Sequence, residues 1–287
     1  MNDALAKMMV RYACRRLEDY VRALREILQE LALLGLWRSK FFEQGAFYGG
    51  TSLRILHGLD RYSEDLDFSL LAPQPDFDLG RYSDALQTEM RSFGFEVTVN
   101  AKAPRVSAIQ SAFIKAETLQ QLLVIETQAG TLQALPRGQV LKIRLEVDTN
   151  PPPGFATESR YLLHPIPFSV RTYVLPDLFA GKMHALLCRK WKTRVKGRDW
   201  YDFVWFVANH PRLHLGHLEQ RMVQSGDWTR GQTLTADHLH QRLTETIDRL
   251  DVDQARNEVL PFVVNPDALA VWSRDFFKDL ARRLALA

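Results

Sequence analysis

The spacing of apolar residues changes character near residue 175, and that change constrains the fold more than any other feature of the 287-residue chain. Ahead of it, segments alternate. Val140 to Asp148 sets Ile143, Leu145 and Val147 against Lys142, Arg144, Glu146 and Asp148, and Ser63 to Leu71 sets Leu66, Phe68 and Leu70 against Asp65 and Asp67. A two-residue period belongs to a half-buried strand. Beyond residue 175 the repeat is that of amphipathic helices, over 176–191, 199–209, 236–250 and 267–286. The pattern predicts an α+β front, a mixed sheet flanked by helices over residues 1–175, followed by a helical domain over residues 176–287.

Shorter signals fill in the front. The first forty residues place Leu17, Tyr20, Val21, Leu24, Ile27, Leu28 and Leu31 on one helix face, with Gly35 as the expected stop. Phe41 to Tyr48 reads as a strand running into the Gly49-Gly50 turn, with Thr51 as cap of a short helix. Residues 80–92 read as a helix, Phe95 to Ala101 and Ala108 to Ile114 as strands, and Asn150 to Gly154 as a loop. Composition adds exclusions: 46% hydrophobic and 25% charged residues are those of a globular protein rather than a disordered one. Cys14 and Cys188 match no zinc or disulfide framework, no signal-like segment opens the chain, and no apolar run approaches the roughly 20 residues of a membrane helix. A cytoplasmic protein with no membrane partner is expected. The net charge of +3 says little, but from Lys182 to Arg198 seven Lys and Arg occur with no acid among them.

Four elements carry chemistry. Gly49-Gly50-Thr51-Ser52 lets backbone approach a ligand, and amides opening a helix suit phosphate. Asp65-Leu66-Asp67 presents two carboxylates on one strand face, hard ligands of the kind that bind magnesium. Glu146, with Asp148 as its rival, shares the face of a later strand and offers the further carboxylate that phosphoryl-type transfer with two metals uses. Lys182, one long helix ahead of Arg194-Val-Lys196-Gly-Arg198-Asp199-Trp-Tyr-Asp202, could reach a triphosphate as a point charge. Asp199 and Asp202 lie close at i, i+3, although an acid in a first helical turn also serves the helix dipole.

Together, Tyr48-Gly-Gly-Thr-Ser-Leu-Arg54, Arg61-Tyr-Ser-Glu-Asp-Leu-Asp-Phe68, Lys142-Ile-Arg-Leu-Glu-Val147 and Lys182 with Gly197-Arg-Asp-Trp-Tyr-Asp202 resemble the AbiEii/AbiGii toxin family of bacterial toxin–antitoxin and abortive-infection systems, within the DNA polymerase β-like nucleotidyltransferase superfamily. The resemblance implies a polymerase β-like sheet, a nucleoside triphosphate substrate, Mg2+ with room for a two-metal site, and transfer of a nucleotide to RNA, for several members the tRNA 3′ end. It implies a cognate antitoxin partner. Carried across, Gly49, Gly50, Thr51, Ser52 and Arg54 would bind the nucleotide with Lys182. Asp65, Asp67 and Glu146 would bind metal, and Asp202 or Asp199 would complete the site. The superfamily's Gly-Ser turn is Gly-Thr-Ser here, and the third acid is Glu146 rather than Asp.

Two other readings use the same residues. The acceptor could be a protein hydroxyl, such as one on the antitoxin, because sequence does not identify it. A binding-only module for nucleotide or RNA is the non-enzymatic alternative, against which the intact acids weigh. His214-x-x-His217 and His238-x-His240 are weaker metal candidates, lacking a completing cysteine or carboxylate.

Overall fold

The computed structural model describes residues 3–101, 108–116, 140–189 and 195–287. It divides into two compact units: one of residues 1–56, 64–151 and 159–172, the other of residues 57–63, 152–158 and 173–287.

The first unit is built on a seven-stranded sheet with strand order β3-β4-β5-β2-β1-β7-β6. Its strands are β1 (Gly45–Tyr48), β2 (Leu66–Leu70), β3 (Val97–Ala101), β4 (Ile109–Ala116), β5 (Leu141–Asp148), β6 (Thr157–Leu162) and β7 (Phe168–Tyr173). β1 runs antiparallel to β2, whereas β2 and β5 are parallel. The alternation expected of β5 is present: Leu141, Ile143, Leu145 and Val147 are buried, and Lys142, Arg144, Glu146 and Asp148 turn the other way. Among the described residues, the α-helices α1 (Asp3–Val10), α2 (Leu17–Arg38), α3 (Gly49–His57) and α4 (Ser83–Ser92) belong to this unit, except for the end of α3. The core packs Leu24, Ile27, Leu28, Leu31 and Leu34 of α2 with Phe68, Ile143 and Leu145 of the sheet.

Several sequence expectations shift. The opening helix is two helices, and α2 continues through Gly35 to Arg38. A Cβ on Gly35 would meet Leu86 at 3.3 Å, so this glycine gives α4 room to approach rather than ending a helix. Phe41–Glu43 is a 3-10 turn, and only Gly45–Tyr48 is strand. α3 begins at Gly49, so Thr51 lies within its first turn and is not its cap.

The second unit is mainly helical: α5 (Leu175–Cys188), α6 (Gly197–Asn209), α7 (Leu215–Ser225), α8 (Ala236–Asp248), α9 (Val252–Val259) and α10 (Arg274–Arg282), with a two-stranded pair, β8 (Arg212–Leu213) and β9 (Ala285–Leu286). The helix expected over 267–286 is confined to Arg274–Arg282, because Pro266 opens a separate 3-10 turn and the chain ends in β9. Among the described residues no helix is long and apolar enough to cross a membrane.

Candidate functional site

The sheet unit gathers most of the acidic candidates. Parallel pairing of β2 and β5 sets Asp67 opposite Glu146 and Leu66 opposite Leu145. Asp148 falls opposite Ser69, and its Oδ1 accepts from the Asn150 amide at 2.9 Å. The register therefore places Glu146, not Asp148, beside Asp67. Asp67 also faces Tyr48 across the antiparallel pair, at the point where β1 turns into α3. There Gly49 has φ +83°, and a Cβ on it would lie 2.5 Å from Asp67 Oδ2. Only glycine allows both this backbone and this close approach.

Asp65 sits just ahead of β2, and its position is set by neighbours. Thr51 Oγ1 donates to the Asp65 carbonyl. Buried Gln29 donates to the Glu64 carbonyl at 3.0 Å, and Arg25 pairs with the Glu64 carboxylate at 2.6 Å. The turn ahead of Asp65 is thus fixed from both α3 and α2.

Arg144 is the residue that sequence reasoning passed over in this unit. Its Nη2 lies 3.0 Å from Asp65 Oδ2 and its Nη1 2.9 Å from Glu146 Oε1. The hydrogen bond to Asp65 raises the guanidinium's pKa above its ordinary value, against burial. Position i−2 to Glu146 on a strand was the available signal, since such residues share a face.

The turn residues also make contacts within the fold. Thr51 and Ser52 are fully buried, with Ser52 Oγ 3.3 Å from Thr172 Oγ1, which itself donates to the Phe47 carbonyl at 2.8 Å. Arg54 pairs with Glu26 of α2 at 2.9 Å. A cavity of about 580 Å³ in this unit opens elsewhere, between Trp37, Arg38, Phe42, Ser159 and Arg171.

In the helical unit, Asp202 is completely buried on α6. Arg61 grips it with both arms, Nε to Oδ1 and Nη2 to Oδ2 at 2.6 Å each, and Lys182 Nζ of α5 lies 2.7 Å from Oδ2. Burial alone would raise this carboxyl's pKa, but the Arg61 and Lys182 charges prevail and hold it below its ordinary value. Asp199 is set apart from this triad, with Arg189 Nη1 at 3.7 Å, in a cavity of about 460 Å³ also lined by Lys196, Trp200 and Arg249. Of the basic run, Lys182, Arg189 and Arg198 pair with Asp202, Asp199 and Glu258. Lys190, Lys192 and Arg194 lie outside the described residues. Gly197 opens α6 where a Cβ would lie 1.9 Å from the Ala255 carbonyl oxygen of α9.

Neither histidine pair is part of a cluster of three metal-ligand side chains among the described residues. His214 bonds Asp177, His217 the Pro153 carbonyl, His238 caps α8 with Thr235, and His240 bonds the Ala236 carbonyl. Among the described residues, the one trio of metal-ligand side chains drawn within 4.8 Å is His184, Cys188 and Asp227. The three acids of the sheet are spread wider, with the Arg144 guanidinium between Asp65 and Glu146.

No curated protein matches the chain by sequence. JHP933 from Helicobacter pylori has a similar crystal structure, with a TM-score of 0.51 at 15% identity over 91% of this chain and 90% of that one. A proposed nucleotidyltransferase from H. pylori aligns at a TM-score of 0.49 and 15% identity, over 90% and 92% of the two chains. The model of a family described as nucleotidyl transferase AbiEii toxin, Type IV TA system, matches residues 31–277. That match takes in the Gly-Gly turn, the Asp-x-Asp strand, Glu146, Lys182 and Asp202, and the chain belongs to the AbiEii family of nucleotidyltransferase toxins.

Proposed function

We propose that the protein transfers a nucleoside monophosphate from a triphosphate to the 3′ end of tRNA, in a magnesium-dependent reaction that removes tRNA from translation. The observation that carries the chemistry is the register: Asp67 stands between Gly49 and Glu146, with Asp65 braced beside it. Hard carboxylate oxygens on neighbouring strands fit a divalent cation, and Asp65, Asp67 and Glu146 would hold it. When bound, the cation would stabilise charge on the α-phosphate and favour the ionised acceptor hydroxyl.

The chain's own residues do the rest. The Gly49-Gly50 backbone offers amides to the phosphates at the start of α3. Family resemblance assigns Lys182 to the phosphates as well, and the Asp202 carboxylate fixes its ammonium. The acceptor oxygen attacks the α-phosphorus, the bond to the β-phosphate oxygen breaks, and pyrophosphate leaves. Membership of a toxin–antitoxin family supports a cognate antitoxin.

The test is incubation of the protein with total tRNA, Mg2+ and each α-labelled nucleoside triphosphate in turn. Label should appear on tRNA and fall at least about a hundredfold in Asp65→Ala and Asp67→Ala, both still folded by circular dichroism. Label on protein instead of RNA would replace tRNA by a protein hydroxyl as acceptor. Nucleotide binding without any transfer would sink the enzymatic reading.

A further inference from the structure

His184 and Cys188 are four residues apart on α5, so their side chains stack on one face of the helix's last turn. Asp227 reaches the same point from the chain just after α7, and the imidazole, thiol and carboxylate each offer a ligand atom within 4.8 Å of the others. The three groups are partly buried. Four-coordinate zinc holds nitrogen at about 2.0 Å and sulfur at about 2.3 Å, which puts ligand atoms roughly 3.5 Å apart. Side-chain rotations of about 1 Å would therefore close the set.

We infer that His184, Cys188 and Asp227 form a binding site for a thiophilic divalent cation of the zinc class, clamping the end of α5 to the segment that follows α7. One thiolate, one imidazole and one carboxylate leave a fourth position for water. Binding exchanges the Cys188 thiol proton for the metal, and the proton goes to solvent. The donor set is soft where Asp65, Asp67 and Glu146 are hard, so the two sites select different ions.

The surroundings sharpen that selectivity. Arg221 and Arg189 bear on the same imidazole. Their charges oppose any cation and admit only one that gains strongly from sulfur and nitrogen. Ser225 Oγ lies 2.9 Å from His184 Nε2 and donates to Asp227 at 2.7 Å, a chain that already orients two of the three ligands. It is not a hydrolytic triad, because the carboxylate bonds the hydroxyl rather than the imidazole. Clamping α5 would also steady Lys182, half a turn upstream on the same helix.

Cobalt(II) titration of the metal-free protein tests the site. One equivalent should produce a sulfur-to-cobalt charge-transfer band in the near ultraviolet that zinc abolishes and excess Mg2+ leaves unchanged. Cys188→Ser and His184→Ala should lose it, while Cys14→Ser and the Asp65→Ala/Asp67→Ala double variant keep it. Zinc should raise Tm by several degrees in the native chain and not in Cys188→Ser. It should also protect one of the two cysteines from a thiol reagent. Absence of the band, or a band that survives Cys188→Ser, would overturn the assignment. Loss of tRNA labelling with the band intact would bear on the proposed reaction alone.

Discussion

Arg144 shows how a single side chain can bear on a proposed metal site. It pairs with two of the acids proposed to bind the cation, at 3.0 and 2.9 Å. A divalent ion must therefore displace the guanidinium from Asp65 and Glu146 before it binds both. Arg144→Gln should tighten Mn2+ binding to the nucleotide-free protein about two- to tenfold, read by calorimetry or electron paramagnetic resonance. The effect is modest because pairs exposed to this degree, near 40%, are screened. Unchanged or weaker Mn2+ binding would show that Arg144 does not compete with the metal. Gly49 constrains the same acids from the other side. Gly49→Ala combines a positive φ with a Cβ driven into Asp67, and should lower both Mn2+ affinity and Tm.

At the scale of elements, the Arg61–Asp202–Lys182 cluster ties the segment ahead of β2 to α5 and α6. Asp202→Ala would leave a fully buried guanidinium without its carboxylate. It should cost about 3–5 kcal/mol of stability in chemical denaturation. A loss below 1 kcal/mol would mean that water reaches the site. Gly197→Ala presses a methyl against the Ala255 carbonyl and should cost about 1–3 kcal/mol, with α6 and α9 forced apart.

The same elements show what could be read in advance. Alternation in β5 reports burial directly, so the faces of Arg144, Glu146 and Asp148 were legible. The choice between Glu146 and Asp148 was not, because both share a face and only the register with β2 separates them. Arg61 lies 141 residues from Asp202, and nothing local announces a pairing at that distance. Gly35 read as a helix stop because its real constraint, Leu86 of α4, is also remote in sequence. The His184–Cys188 pair was missed for a related reason: the third ligand comes from another helix's end.

For the whole molecule, the two units should respond to acid in opposite senses. In the sheet unit, burial raises the Glu30 carboxyl to about 7, although Arg11 lies 2.6 Å away. The folded form then binds a proton that the unfolded form releases above about 4.5, so this unit gains stability as pH falls from 7 towards 4.5. In the helical unit, burial and then Arg221 lower His184 and His217 to about 4. Their unfolded forms take up protons below about 6.5 while the folded forms do not, so stability is lost from pH 6.5 down to 4. Calorimetry at pH 7 and pH 5 should show the melting transition broadening or splitting at the lower pH, with Glu30→Gln reducing the separation. One equally sharp transition at both values would contradict this account.

The chain leaves the sheet unit at residue 57, contributes Arg61 to the helical unit, and returns at residue 64 to supply the acids. The helical unit is therefore not a module that a gene could acquire by fusion at one junction. A fragment starting at residue 173 would inherit Asp202 and Lys182 but forfeit their third member. Recombination among relatives should accordingly pass the two units on together, and chimaeras joined near residue 173 should fail unless the stretch around Arg61 comes from the same parent as the helices.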